Sequence, residues 1–153
     1  MMPDFQPADP GYADRVRASF ARQGFMRTLG AEIVAVEPGR CEVRLPCRDE
    51  LGQQHGFLHA GALAAVADSA GGYAAYTLMG TGDSVLTVEY KINLLAPGRG
   101  EEAIARARVV RSGRTFTVCQ VDIFAVSGGA ETLCATMQQT VIRLARRPDV
   151  PAA

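Results

Sequence analysis

From residue 57 to residue 79 the chain reads FLHAGALAAVADSAGGYAAYTLM, an almost unbroken apolar run in which only His59 and Asp68 carry or can gain charge near neutral pH. The run is too long for a strand, and its abundance of Ala predicts one buried helix over 57–79. On either side the period changes. Residues 31–36 and 41–45 alternate apolar with polar and flank Glu37, Pro38, Gly39 and Arg40, which reads as a hairpin. Residues 84–95, 102–111, 115–126 and 131–143 are rich in Val, Ile, Thr and Phe and predict four strands. Cys119, Val121 and Ile123 share one face of the third of these, Gln120 and Asp122 the other. The separators at 96–100, 112–114 and 127–130 are short and contain Gly, so consecutive strands are expected to be antiparallel neighbours. Residues 13–23 predict a short helix, with Val16 and Phe20 one turn apart, and 46–56 a loop.

The expected order is short helix, two strands, one long helix, four strands. A helix that is apolar almost all round must be covered nearly all round, and one antiparallel sheet curled about it achieves this. The expected class is therefore α+β. An N-terminal extension with a short helix is assigned to 1–24, the sheet-and-helix domain to 25–145 and a loose tail to 146–153. Residues 1–12, with three prolines, are expected to be disordered or draped.

Composition narrows the possibilities. A chain of 153 residues, 48% of them hydrophobic, suits one domain with a substantial core. Sixteen acidic and sixteen basic residues leave no global field to attract nucleic acid or an anionic membrane. The four cysteines, Cys41, Cys47, Cys119 and Cys134, show no metal-ligand spacing and read as free thiols of a reducing compartment. No metal and no cofactor is expected. The N-terminus lacks the basic start and apolar run of a secretory signal, and the 57–79 run is broken by His59, Asp68, Gly71 and Gly72, so a cytoplasmic, non-membrane protein is expected.

Asp68 is the chemical centre of the pattern. A lone carboxylate within an apolar helix is costly unless it meets a polar cleft. Its neighbours on the same helix face are Gly61, Ala64, Ala65, Gly71, Gly72 and Ala75, none larger than a methyl group. That narrow face suits a ligand or a second subunit at close approach. His59, nine positions earlier, lies half a turn out of phase and about 13 Å away along an ideal helix. The two cannot form one dyad within a chain. Either two chains build the site or His59 is structural, as a cap or packing residue. The first N–H groups of a helix starting near His59, Ala60 and Gly61 would make an oxyanion site. Gln53, in the preceding loop, offers an amide to a water or a carbonyl.

At these residues the chain resembles the hot-dog-fold acyl-CoA thioesterases, of the PaaI type. The resemblance rests on Gln53-x-x-Gly56-x-x-His59-Ala60-Gly61, on Asp68 between Ala67 and Ser69, on TVEYKINLLAP at 87–97 and on the turn at 111–115, and spans residues 25–145. It implies a sheet wrapped around a central helix and metal-independent hydrolysis of a coenzyme A thioester. It implies Asp68 as general base or nucleophile. Gln53 would position the water or thioester, the Ala60 N–H would polarise the carbonyl, His59 would hold the helix start and Thr87 would assist the water. Asp68 would come from one subunit, with Gln53, His59 and Ala60 from the other, in a homodimer and, by resemblance, a homotetramer. Gly61 and Val88 would line the substrate site, and Gly113 and Arg114 would lie near the nucleotide end of coenzyme A; Arg111 and Lys91 could also meet its phosphates. The chain reads His-Ala-Gly where His-Gly-Gly is commoner, which bears on the width of the acyl slot. Two other functions fit the same fold: an acyl-thioester hydratase or dehydratase using His55, and a non-catalytic acyl-CoA binder.

Overall fold

The computed structural model describes residues 5–150; readings that fall on 1–4 and 151–153 lie outside it. Two short helices come first, α1 (Tyr12–Ala21) and α2 (Gly24–Leu29). Strands β1 (Glu32–Glu37) and β2 (Arg40–Pro46) form the expected hairpin, followed by a single 3-10 turn at Asp49–Leu51. The central helix α3 (Ala60–Tyr76) precedes β3 (Ser84–Leu94), β4 (Glu102–Ser112), β5 (Phe116–Ser127) and β6 (Ala130–Leu144). All six strands form one antiparallel sheet in the order β1-β2-β4-β5-β6-β3. The α+β class and the sheet around a helix are as expected.

The sheet closes on α3 through the inward rows of its central strands. Cys41, Val43 and Leu45 on β2, Ala103, Ala105 and Ala107 on β4, and Cys119, Val121 and Ile123 on β5 point inward and are buried. They meet Val66, Ala67, Ala70 and Ala74 of the helix. The alanine row of β4 and the alanines of α3 let sheet and helix approach closely there, at interior packing density. No helix among the described residues is long and apolar enough to cross a membrane.

The structure corrects the sequence reading in four places. First, α3 is shorter than the 57–79 run. Its N-cap is His59, and Leu58 is held in the preceding loop by donating its N–H to the Gly98 carbonyl (3.0 Å). At the other end the buried Thr77 hydroxyl donates to the Ala74 carbonyl (2.7 Å) and accepts from the Gly39 N–H (2.8 Å). Beyond the helix end, the Arg15 guanidinium donates to the carbonyls of Tyr76 (3.4 Å), Met79 (2.6 Å) and Gly80 (3.3 Å), tying α1 to the turn that follows α3.

Second, β3 and β4 are not neighbours. β3 takes the far edge of the sheet beside β6, and the link between them crosses the ends of β6 and β5. On the way Leu95 and Ala96 donate to the Cys134 carbonyl (2.8 and 3.2 Å), and Glu101 donates to the Val126 carbonyl (2.9 Å). Gly100 allows the crossing: its φ is +131°, and a Cβ there would sit 1.9 Å from the Val126 oxygen. Gly100→Ala is therefore expected to cost about 2 kcal/mol or more and to lower the melting temperature by about 5 °C or more. An unchanged melting curve would show that the crossing adapts freely.

Third, α2 stands where no element was expected. It ends on Gly30 in the left-handed conformation (φ 71°). Fourth, the C-terminal segment expected to be loose is docked as far as Asp149. Its carboxylate pairs with Arg22 (2.9 Å) and accepts from the Ser19 hydroxyl.

β3 also carries a bulge. Thr87 pairs with Val141 and Glu89 with Thr140, so Val88 has no partner on β6. Paired residues share a face, so Thr87 and Tyr90 both lie on the helix side, with Val141 and Gln139 opposite them.

Candidate active site

Asp68 lies on the third turn of α3, half-buried, where the small-residue face of the helix looks toward the β3 edge. Its Oδ1 accepts from the Thr87 hydroxyl (2.6 Å) and from Nε2 of Gln139 (2.5 Å). The same Nε2 lies 3.0 Å from Thr87 Oγ1 and 3.1 Å from the Asp68 carbonyl. Both side-chain partners are neutral. Oδ2 makes no hydrogen bond among the described residues. The carboxylate borders two cavities. One, of about 240 Å³, is lined by Ser19, Gln23, Gly72, Tyr73, Thr87 and Asp149. The other, of about 560 Å³, lies over Gly61, Ala64 and Ala65, with Phe25, Met26 and Tyr90 as walls. Asp68 is thus neither a buried orphan nor a solvated stripe.

The second group of expected residues sits at the other end of the helix. His59 is exposed, and its Nδ1 accepts from the Gly61 N–H (2.8 Å), capping α3. That bond engages the Gly61 donor. The Ala60 N–H, at the first helical position, has no hydrogen-bond partner among the described residues. It opens onto a groove of about 490 Å³ lined by Gln53, Phe57, His59, Leu63, Leu94 and Pro97, among others. Gln53 is half-buried. Its backbone closes the loop by donating to the Phe57 carbonyl (2.8 Å) and accepting from the Gly56 N–H (2.9 Å), while its side-chain oxygen accepts from the His55 N–H. Gln53, His59 and Ala60 therefore gather at one groove and Asp68 and Thr87 at another, in a single chain.

Of the remaining expected residues, Gly61 lines the larger Asp68 cavity, and Val88 is 54% exposed on the bulge of the sheet edge. Gly113 and Arg114 lie on the exposed β4–β5 turn and border neither the Asp68 cavities nor the Gln53 groove. The pairings Thr87–Val141–Thr117–Ser112 set that turn three strands from Thr87, about 14 Å at ordinary strand spacing. His55 faces the Phe57 ring (6.4 Å) on the outer loop, away from the Asp68 cavities, so a His55–Asp68 pair for hydration is not formed within one chain. Burial pushes the Cys41 and Cys119 thiols up to about 12, leaving neither as a nucleophile. Among the described residues no three His, Cys, Asp or Glu side chains gather as a metal site.

Gln139 was absent from the sequence reading. It is 1% exposed and is the one polar residue among the inward positions Ala135, Met137, Gln139 and Val141 of β6. That polar break in an apolar phase was the available signal.

Residues 55–132 match the thioesterase superfamily. A solved thioesterase family protein from Silicibacter pomeroyi is 51% identical, with a TM-score of 0.86, over 88% of this chain and 98% of that one. The 1,4-dihydroxy-2-naphthoyl-CoA hydrolase of Listeria monocytogenes is 29% identical over 65% of this chain and 81% of its own length. The E. coli PaaI protein from the phenylacetic acid degradation operon, at 21% identity, shares the fold, with a TM-score of 0.79 over 90% of this chain and 96% of that one. The superfamily match over half of the chain and the curled sheet around α3 together place this chain in the thioesterase superfamily, as a hot-dog-fold hydrolase.

Proposed function

We propose that the protein hydrolyses an acyl-CoA thioester to the free acid and coenzyme A, at a site shared by two copies of the chain. One observation carries this reading: the free oxygen of Asp68 and the unpaired Ala60 N–H, a base and an oxyanion donor, open onto separate grooves of the same chain. Each groove holds half of what ester cleavage needs. The β3 edge supports pairing between copies, because among the described residues no strand pairs with its outer side and Leu86, Val88, Tyr90 and Leu94 are 58, 54, 48 and 55% exposed. Edges of that kind are covered in stable proteins. A homodimer through β3 is the minimal active unit, and further association to a tetramer and a cytoplasmic setting complete the proposal.

In this arrangement Asp68 takes a proton from water as the water oxygen attacks the thioester carbon, or attacks that carbon itself. Thr87, already bonded to the other carboxylate oxygen, orients the attacking group. The developing oxyanion lies against the partner's Ala60 N–H and the helix dipole behind it, with His59 fixing that helix start. Gln53 supports the carbonyl or the water. The carbon–sulfur bond breaks as the tetrahedral adduct collapses. With Asp68 as base, the proton it took from water passes to the leaving thiolate; with Asp68 as nucleophile, water then cleaves the mixed anhydride, releasing the acid and the proton that neutralises the thiolate. No step draws on a metal or a cofactor. The small-residue floor with Phe25, Met26 and Tyr90 beside it suits a flat or slender acyl group. The charged chains at Lys91, Arg111 and Arg114 are exposed, open to coenzyme A phosphates.

Benzoyl- and octanoyl-coenzyme A, with released thiol followed colorimetrically, test the activity. Turnover of at least one, with equimolar acid and thiol, is the expected result. Binding of both without thiol release would defeat the reading, and hydration of crotonyl-coenzyme A instead would favour a hydratase.

A further inference from the structure

We propose that Gln139 is a positioning residue for the reaction, locking Asp68 and Thr87 into a single arrangement, and that Gly71 is kept bare to let its amide do so. The proposal rests on the role given to Asp68 above.

The amide nitrogen of Gln139 stands among three acceptors: Asp68 Oδ1 at 2.5 Å, Thr87 Oγ1 at 3.0 Å and the Asp68 backbone carbonyl at 3.1 Å. A backbone carbonyl only accepts, so the terminal atom facing it is the nitrogen; the flipped amide would set an oxygen against a carbonyl and a carboxylate. With that orientation fixed, the rest of the geometry follows. Gln139 donates to Asp68 and to Thr87, and Thr87 donates to Asp68 (2.6 Å), closing a ring of three side chains. Both ring donors end on Oδ1. The ring therefore decides which carboxylate oxygen stays free for chemistry, and it is Oδ2.

The other end of Gln139 argues against a merely structural role. Its Oε1 is buried and has no hydrogen-bond partner among the described residues. A residue kept only for packing would be apolar, as Met137 and Val141 are on the same face, or satisfied at both ends. Here one end is left unpaired while the other serves Asp68 and Thr87.

Gly71 supplies the second, independent observation. It lies one turn after Asp68 in ordinary helical backbone, where Gly is disfavoured. A Cβ there would stand 1.8 Å from Gln139 Oε1 and 3.0 Å from its Cδ. At Gly72, one residue on, a Cβ would meet nothing within 4 Å. The two adjacent glycines thus differ in purpose: Gly72 borders the smaller Asp68 cavity, and Gly71 makes room for the amide.

The test compares Gln139→Met, Gly71→Ala, Gln139→Ala and the double variant Gln139→Ala with Gly71→Ala, using whichever of benzoyl- and octanoyl-coenzyme A is hydrolysed faster, with Asp68→Asn measured alongside. Gln139→Met keeps the volume and removes the donor. It is expected to lower kcat by about 10- to 100-fold with KM changed less than about twofold. Gly71→Ala should lower kcat comparably, by pushing the amide off Asp68. In a Gln139→Ala background, where no amide remains to be displaced, Gly71→Ala should change kcat by less than about twofold. Unchanged kcat in a folded Gln139→Met or Gly71→Ala protein, with Asp68→Asn inactive, would sink the positioning role and leave the Asp68 assignment standing. Full activity in Asp68→Asn would sink the assignment and the positioning role together. Failure of all four Gln139 and Gly71 variants to fold would make the pair part of the core and overturn the proposal equally.

Discussion

Replacing Asp68 by Asn is expected to lower kcat for thioester hydrolysis by about 10²–10⁴-fold, the span of a lost general base, while the protein melts within a few degrees of wild type. The substitution separates chemistry from structure because of how the carboxylate is held. Oδ1 is the atom that accepts from Thr87 and Gln139. An Asn keeps an oxygen at that position and so preserves both bonds. The amide nitrogen replaces Oδ2, which makes no hydrogen bond among the described residues. The interior therefore loses nothing, and the cavity loses its only free anionic oxygen from α3. Near-normal turnover in Asp68→Asn would remove the carboxylate from the mechanism, whatever its position. Wild-type enzyme in heavy-oxygen water, followed over a single turnover, separates base from nucleophile: label enters the acid at once in the first case and the protein in the second.

Mixing two inactive variants gives the second large effect. Asp68→Asn and Gln53→Ala proteins, each crippled alone, are expected to regain about a quarter of the wild-type sites after subunit exchange at equal concentrations, since half of the dimers are mixed and each mixed dimer holds one intact pair. The arithmetic depends on the two half-sites coming from different chains. Within one chain Gln53 and Ala60 open onto a groove that Asp68 does not reach. A helix start and a residue on the third turn of that helix cannot both face one small carbonyl. If the mixed sample shows only the average of its parts, with exchange proved by a tagged subunit, each chain would carry a complete site and the pairing through β3 would lose its function.

Much of the fold was legible because it is written in period. Six strands and one long helix follow from the alternation and from the Ala-rich run, and each strand boundary falls within about two residues of its expected place. α2 was not legible: six residues between Gln23 and Gly30 are too few to show a period. The position of β3 was hidden for a different reason. A short Gly-containing link normally joins neighbours, but β3 is laid at the far edge after the return of α3, and the link to β4 has to cross two strand ends. Asp68 stood out as a charge in an apolar helix. Thr87 did not, since a hydroxyl in a strand carries no signal, and only the family resemblance marked it. Gln139 was missed because it follows Gln138, and two like residues in succession hide which of them turns inward. The extent of α3 was overread because Leu58 and Met79 are buried without being helical.

The unpaired Val88 has an effect on charge. In a strand of unbroken alternation, Thr87 would share its side with Glu89 and Lys91. The extra residue shifts the phase, so Tyr90 and Ile92 follow Thr87 on the helix side, while Glu89 turns to the opposite side and accepts from the Thr140 hydroxyl (3.1 Å). A second acid and an ammonium are thereby kept off the wall beside Asp68, whose side-chain partners, Thr87 and Gln139, are neutral. One inserted residue at the rim of the sheet acts as a filter that turns an aromatic ring and an aliphatic chain toward the helix and sends both ions outside.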